Sequence, residues 1–342
     1  MQTTYCFVGQ GNVGAMVDAR MRELGLQKAN YAADAEVVFS YFATQAKLED
    51  AFFAEAGLVQ GCVPGTLLID LSPATPAFAR ELAAVAVVSD LLPVEAPLVV
   101  VDPVAPGALS DKRNVACFVA GDEDAVEAAL PLLRGLCDEA SVMAGAGSAQ
   151  LARASYTLQM LSQLVSAVES EALYRAVRAT DAPYAGTAEH VGAATPLSEQ
   201  VLEAVAQKRF EGEFTVEMLM GEVSAAIGAA DDAEVILPQA EACQHMLELL
   251  AVVGGSDLSP AALSLVYGDE AACAEAGLDW ARAEAAYGLP EGEEDYGDFG
   301  GYDDEYDFGE YDDEDDVEPC GCGHDHDYGS DRVRGEFPCS LN

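Results

Sequence analysis

Basic residues are scarce in this chain. Its 342 residues include 60 Asp and Glu but only 16 Lys and Arg, so the formal net charge is −44. A field of this sign repels the phosphates of nucleic acids and of anionic membrane surfaces. We therefore expect neither nucleic acid nor a membrane as a partner.

Long apolar runs and paired cysteines are also missing. No apolar run reaches the roughly 18 residues that a membrane span needs, and the first residues lack the pattern of a signal peptide. Single cysteines in apolar stretches are typical of reduced core thiols, which indicates a cytoplasmic protein. Six of the nine cysteines are of this kind: Cys6, Cys62, Cys117, Cys137, Cys243 and Cys273.

The first 147 residues alternate short apolar strands with amphipathic helices. Strands are predicted at 3–8, 36–42, 66–71, 98–101 and 115–120, and helices at 15–24, 45–53, 76–85 and 123–136. This alternation is typical of a parallel sheet with helices on both faces. We predict an α/β fold, with a shortened Rossmann-type domain over residues 1–147.

The pattern changes after Gly147. Apolar residues recur at helical spacing from Ser148 to Thr180 without proline or glycine, which predicts one long helix. Helical patterns continue to about Tyr287, so we predict an all-α domain for substrate binding or dimerisation over residues 148–288. Residues 289–342 alternate acidic residues with Tyr, Phe and Gly, and this tail is predicted to be disordered.

A glycine turn follows the first strand. Its residues are Gly9, Gln10, Gly11, Asn12, Val13 and Gly14, the GxGxxG pattern. Such a turn lets a pyrophosphate approach the backbone, and the helix that follows directs its N-terminus at the phosphates. Because this turn leaves a strand and opens a helix, we predict a site for NAD or NADP.

The segment after the first helix is short. A dinucleotide site usually has an acidic or basic residue about 20 positions after the turn, at the end of the second strand, to bind the adenosine ribose. Between Gly25 and Ala35 there is too little chain for a strand, a helix and their turns. We predict that the adenosine half of the site is deleted.

Several segments, in this order, resemble the β-hydroxyacid dehydrogenases, relatives of 3-hydroxyisobutyrate dehydrogenase, 6-phosphogluconate dehydrogenase and the imine reductases. They read FVGQGNVGAMVDARMRELG, DAEVVFSYFATQAKLEDAFF, PGTLLIDLSPATPAFARELA, VAGDEDAVEAALPLL and GAGSAQLARASYTL. The resemblance implies a homodimer of chains that each have a Rossmann domain, a long interdomain helix and an all-α domain. It also implies a small-molecule substrate bound between the domains.

The resemblance assigns a catalytic lysine to the long helix, with an asparagine four residues later. Arg153 takes the lysine position and Thr157 the asparagine position in this chain, and Tyr156 is the neighbouring candidate proton donor. Arginine stays charged and cannot serve as a base. An anion-binding role and a plain ion pair with a nearby acid are both open for Arg153.

Other positions of the family pattern differ as well. The resemblance places Ser72 near the nicotinamide, the substrate loop at 101–107 without its serine, and Gly221-Glu222 at a later Lys-Asp pair. Several losses together predict an oxidoreductase-like protein with altered or lost activity. The alternatives are a working NAD(P)-dependent reductase with a reassigned proton donor and a non-catalytic dimeric binding protein.

The tail carries a separate cluster of potential metal ligands. Cys320, Cys322, His324 and His326 lie within seven residues, and thiolate with imidazole is a donor set suited to zinc or nickel. The spacing is not that of a zinc finger. A metal-handling protein built on an older scaffold is therefore a third functional hypothesis.

Overall fold

The structure is a computed structural model that describes residues 3–9, 11–180, 195–268 and 270–288. These residues belong to one unit that extends to Leu289, so the predicted boundary between residues 147 and 148 stays a prediction. The predicted disordered tail and its Cys/His cluster lie outside the described residues.

Eight strands form the sheet in the described part of the chain. They are β1 (Thr4–Gly9), β2 (Gln27–Lys28), β3 (Val37–Tyr41), β4 (Leu67–Asp70), β5 (Leu92–Glu95), β6 (Leu98–Val100), β7 (Val115–Gly121) and β8 (Glu139–Val142). Their order is β2-β1-β3-β4-β5-β7-β6, with β8 beside β7. The Rossmann-type class is confirmed.

The sheet is not parallel throughout, which corrects the prediction. Strands β1 to β5 are parallel, but β7 runs antiparallel to both β5 and β6. A parallel return needs a crossover, usually a helix, whereas β6 and β7 are joined only by a loop that ends in a 3₁₀ turn at Lys112–Asn114. The sequence also gave no sign of β5 and β8, because each has only four residues and no apolar alternation.

Helices cover both faces of the sheet, as predicted. Five helices do so: α1 (Asn12–Glu23), α2 (Gln45–Phe53), α3 (Leu58–Gly61), α4 (Pro76–Val88) and α5 (Glu123–Leu136). Side chains alternate along β3, so that Val37 and Phe39 pack in the core containing α1 and α5, and Val38 packs with α2, α3 and α4. Helices α2 and α5 begin and end at the predicted residues.

The second strand is shortened rather than absent, which corrects the predicted deletion. Gln27 and Lys28 pair with Thr4 and Tyr5 of β1, in the position of a second Rossmann strand. A single 3₁₀ turn, Ala32–Asp34, stands where a helix would follow. Two residues are too few to show apolar alternation, so the sequence alone could not reveal this strand.

The region after the sheet is helical throughout its described part. It contains α6 (Ser148–Thr180), α7 (Pro196–Ala206), α8 (Val216–Asp232), α9 (Pro238–Leu250), α10 (Glu270–Glu275) and α11 (Ala281–Tyr287), with a π-helical turn at Ala251–Gly255 and a 3₁₀ helix at Pro260–Tyr267. Helix α6 has the predicted bounds. In the described ranges no single helix meets the length and hydropathy of a membrane span; one bent pair, residues 238–255 and 260–267, meets them only when taken together.

A half-buried carboxylate holds the start of α6 at the sheet. Glu95, the last residue of β5, accepts hydrogen bonds from the amides of Gly147 (2.7 Å) and Ala149 (3.2 Å). Its strand neighbour in register is Asp70, at the end of β4. Burial raises the pKa of Glu95 to about 7 and that of Asp70 to about 6. Glu95 therefore supports the N-terminus of α6, whereas Asp70 accepts hydrogen bonds from Ser40 and Ser72.

Candidate functional site

The glycine turn has the geometry that the sequence predicts. Gly9 has φ +154°, and a Cβ there would lie 2.2 Å from the carbonyl oxygen of Tyr41. A Cβ on Gly14 would lie 2.7 Å from the Phe7 ring. Gly11 differs, because it has φ +81° and no described atom lies within 4 Å of its would-be Cβ. The outer two glycines therefore serve packing, and the middle one borders open space.

A cavity of about 290 Å³ lies beside this turn. Gly11 and Asn12 form one side, and Tyr41, the last residue of β3, lines the cavity with Phe42 and Ala43. The remaining described lining residues are Lys47, Gly212, Thr215, Glu217, Met218 and Asp257. Lys47 is bound to Glu217 at 3.4 Å. The cavity can therefore offer backbone groups to a phosphate, but its side chains carry more negative than positive charge.

Only some of the predicted cofactor residues lie at the cavity. Gly11 and Asn12 line it, whereas Val13 is buried in the core. Gln10 is outside the described residues. Ser72 is fully buried; its hydroxyl donates to Asp70 Oδ1 at 2.6 Å and accepts the amide of Phe42 at 3.0 Å. With both bonds made inside the protein, Ser72 has no surface for a nicotinamide.

Arg153 lies in a buried ion pair with Glu222. The Arg153 side chain is 3% exposed and that of Glu222 7%. Arg153 Nε also donates to the carbonyl of Leu98 at 3.1 Å and Nη1 donates to Thr157 Oγ at 3.1 Å. The Thr157 hydroxyl lies 3.4 Å from Glu222 Oε2. The predicted catalytic positions thus come together, but their groups bind one another.

Glu222 was not predicted as a partner of Arg153. The two residues are 69 positions apart, and no local pattern links α6 to α8 at that separation. Burial raises the pKa of Glu222, and Arg153 opposes that rise. Of the two alternatives for Arg153, the structure places it in the ion pair, and an external anion would have to displace Glu222.

Tyr156 is next to this cluster and half-buried. Its hydroxyl lies 3.5 Å from the carbonyl oxygen of Val100. Burial raises the pKa of Tyr156, and the charge of Glu222 raises it further. A raised pKa makes the phenol a weaker proton donor near neutral pH.

Helix α8 contributes to both places, with Met218 at the cavity and Glu222 in the cluster. A Cβ on Gly221 would lie 1.7 Å from the Ala43 carbonyl oxygen, so the helix backbone rests on the loop after β3. A second cavity, of about 430 Å³, lies beyond Gly221. Its described lining includes four acids: Glu49, Glu81, Asp231 and Asp232.

The predicted substrate loop, residues 101–107, is not the segment that contacts Arg153 and Tyr156. The segment beside Arg153 and Tyr156 is β6, through the carbonyls of Leu98 and Val100. Residues 101–107 lie farther along, where Asn114 braces them by bonds to the Asp102 amide and carbonyl. Strand β5, which the sequence did not predict, ends at residue 95, ahead of β6 and this loop.

No metal centre is found in the part of the chain that the structure describes, since no three His, Cys, Asp or Glu side chains gather there as ligands. The predicted ligands Cys320, Cys322, His324 and His326 fall outside that part. Their role stays a prediction.

Comparison with known proteins gives the same fold. Residues 8–145 match the NAD binding domain of 6-phosphogluconate dehydrogenase. The 2-hydroxy-3-oxopropionate reductase of Escherichia coli strain K12 is 24% identical over 239 residues, which cover 67% of this chain and 76% of that protein.

Solved structures of other proteins have the same fold. The 3-hydroxyisobutyrate dehydrogenase of Salmonella typhimurium superposes with a TM-score of 0.61 at 17% identity, covering 78% of this chain and all of that one. The Mycobacterium tuberculosis 3-hydroxyisobutyrate dehydrogenase with L-serine gives 0.59 at 20% identity, covering 79% and 100%. At these identities the structural matches show a shared fold, including the helical region.

Proposed function

We propose that this chain, which resembles the β-hydroxyacid dehydrogenases in sequence and fold, is an NAD(P)-binding protein that has lost the lysine-dependent hydroxyacid reaction of that family. The buried Arg153–Glu222 pair is the observation that carries the proposal. It fills the position of a titratable lysine with a permanent cation whose hydrogen bonds are directed inside the protein.

The phosphate end of a dinucleotide fits the glycine turn. Gly11 provides open space, and Asn12 begins a 12-residue helix whose N-terminus attracts anions. Bound NAD(P) would supply a hydride donor or acceptor. The nicotinamide end fits poorly, because Ser72 is buried and Gly221 is packed on Ala43. The residues therefore favour retained binding without the ancestral chemistry.

The choice between NAD and NADP stays open. No acidic or basic side chain follows β2 directly, since the next residues are Ala29, Asn30 and Tyr31. Lys28 is paired with Asp18, within the strand and first helix. Titrations with NADH and NADPH in parallel distinguish the two.

A turnover assay tests the proposal. The full chain is incubated with NADH or NADPH and 2-hydroxy-3-oxopropionate, the compound in the name of the E. coli relative, while nicotinamide absorbance is followed. We expect no consumption above the protein-free rate, with that reductase as positive control. Sustained turnover by the purified chain would contradict the loss of reaction.

The competing function is a working reductase of small carbonyls or imines with a reassigned proton donor. It predicts activity on some member of a substrate panel, and loss of that activity in Tyr156→Phe or Arg153→Ala. Activity that survives in both variants would exclude these residues as the donors.

The Cys/His cluster supports a second function, metal handling. Four soft and borderline ligands within seven residues suit Zn²⁺ or Ni²⁺. Calorimetry with each ion, on the parent chain and on a variant with Cys320, Cys322, His324 and His326 replaced by Ala, should show tight binding only in the parent. Equal stoichiometry in both would rule out this cluster as the site.

The proposal also includes the oligomeric state of the chain and its location in the cell. A homodimer is proposed from the family resemblance, and sedimentation equilibrium tests it: a single species of 35.8 kDa would contradict it. A cytoplasmic location is supported by six buried cysteines that are all unpaired.

A further inference from the structure

A row of polar side chains crosses the sheet under helix α4. Ser40, Asp70 and Glu95 are in-register neighbours on the parallel strands β3, β4 and β5. Side chains at matched positions of parallel strands point to the same face of the sheet. Leu68, two residues before Asp70, packs in the core that contains α4, so the row lies on that face. The carboxyl groups of Asp70 and Glu95 are therefore adjacent on one side of the sheet.

These two carboxyl groups line a small cavity of about 20 Å³. The other described lining residues carry no charge: Leu68, Ala79, Leu82, Ala83, Pro93, Val94, Ala120, Gly121 and Ala146. A space of this size can hold one water molecule between two polar groups. Because the rest of the wall offers no cation, the two carboxyl groups face each other in apolar surroundings, where a charged carboxylate is costly unless it is paired.

The hydrogen bonds of the pair leave one buried oxygen without a donor. Asp70 Oδ1 accepts the hydroxyls of Ser40 at 2.8 Å and Ser72 at 2.6 Å. Glu95 accepts two amides at the start of α6 through Oε1, but its Oε2 is buried and has no hydrogen-bond partner in the described structure. A buried acceptor without a donor is unfavourable. A proton on one of the two carboxyl groups supplies the missing donor.

Other ionisable groups near the pair come from α4 and β3. Arg80 of α4 is exposed, and its Nη1 would lie 2.9 Å from a Cβ on Gly147, whose amide Glu95 accepts. Tyr41 follows Ser40 on β3, on the opposite face, and stays neutral because burial raises its pKa. Solvent screens the exposed guanidinium, so it offsets little of the repulsion between two charged carboxylates at this place.

We propose that Asp70 and Glu95 form a carboxylic acid–carboxylate pair that holds one proton between them, and that this proton makes the junction between the sheet and α6 sensitive to pH. The hydroxyl of one acid donates to an oxygen of the other, directly or through one water in the cavity. The same row reaches the loop after β3, because Ser72 Oγ also accepts the amide of Phe42. Loss of the shared proton places a second negative charge in the row that joins this loop to the helix carrying Arg153.

An NMR titration of the full chain, with isotope-labelled carboxyl groups in Asp and Glu, tests the sharing. The parent should titrate in two steps that the signals of both residues report, because the proton belongs to the pair. Asp70→Asn and Glu95→Gln should each leave a single step, at a pH between those two and at least about one unit below the upper one. If each remaining carboxyl group keeps the midpoint that it has in the parent, burial alone sets that midpoint and the inference is overturned.

Both substitutions keep the shape of the side chain, and an Asn oxygen at position 70 can still accept from Ser40 and Ser72. Glu81→Gln is the matched control, since Glu81 is exposed on α4, and it should move either step by less than about 0.3 pH unit.

A second measurement needs no variant. Just below the upper step, the infrared spectrum of the parent should contain the carbonyl band of a protonated carboxylic acid, although exposed carboxyl groups are ionised there. Absence of this band at every pH above about 5.5 would overturn the inference. In the same titration the amide signals of Gly147 and Ala149 should shift with the upper step and lose that shift in Glu95→Gln. Amides that do not respond in the parent would overturn the proposed effect on the junction.

Discussion

The glycine turn and the Arg153 cluster, which the family resemblance assigns to the two ends of one site, differ in what defines them. The turn is defined by backbone conformation: Gly9 and Gly14 leave no room for a side chain. The cluster is defined by side chains: Arg153 and Thr157, at the positions where the resemblance predicts a lysine and an asparagine, bind each other and Glu222.

This difference separates the residues of a motif that the fold requires from those that indicate function. Gly9 contacts β3 and Gly14 contacts β1, so the fold requires both whether or not a dinucleotide binds. The GxGxxG pattern therefore predicts the Rossmann fold more strongly than it predicts an occupied site. The Arg153 cluster holds the positions to which the family resemblance assigns the chemistry, so its side chains, rather than the glycines, bear on the proposed loss of that reaction.

The largest effect is expected when the buried Arg153–Glu222 pair is split. Arg153→Met or Glu222→Leu alone leaves a buried charge without its partner and should lower the free energy of unfolding by about 3–5 kcal/mol, measured by urea denaturation. The double variant should recover most of this loss. Lys208→Met, which removes an exposed pair with Glu275, is the control and should have little effect. Single variants as stable as the parent would contradict the assigned pair.

A smaller effect is expected where α8 meets the loop after β3. In Gly221→Ala the added Cβ would overlap the Ala43 carbonyl oxygen, so α8 must shift, at a cost of about 3 kcal/mol. Gly61→Ala is the matched control, because its nearest neighbour is 4.0 Å away. Equal stability of the two variants would show that α8 does not rest on that loop.

The carboxyl groups of Glu95 and Asp70 should make the free energy of unfolding depend on pH. The pKa values of Glu95 (about 7) and Asp70 (about 6) lie above those of the unfolded chain, so the folded state holds more protons between about pH 4 and 7. Stability from these groups is therefore present at low pH and is lost as pH rises through that window. Glu95→Gln should reduce the loss between pH 5 and 8 by about 2 kcal/mol.

Thermal or urea unfolding at a series of pH values measures this effect. Glu139→Gln is the control, since Glu139 is exposed on β8 and its variant should keep the parent's profile. A Glu95→Gln profile parallel to that of the parent would mean that Glu95 ionises normally.

The sequence predicted long, periodic elements well and short or distant ones poorly. Both ends of α6 follow from uninterrupted helical spacing, and α5 is bounded by an acidic N-terminus and by Cys137. Strand β2 has two residues and leaves no pattern. The partners of Arg153 and Asn12, Glu222 and Glu213, are brought close only by tertiary packing, which one sequence does not encode locally.

One measurement addresses the difference between the two ends most directly. NADPH and NADH are titrated into the full chain by nicotinamide fluorescence, and the preformed complex is then mixed with a panel of small carbonyls and imines in a single-turnover experiment. We predict saturable binding of at least one cofactor and no oxidation of it by any substrate. Oxidation of the bound cofactor within the experiment would contradict the account, because the Arg153 end of the site would then still be reactive.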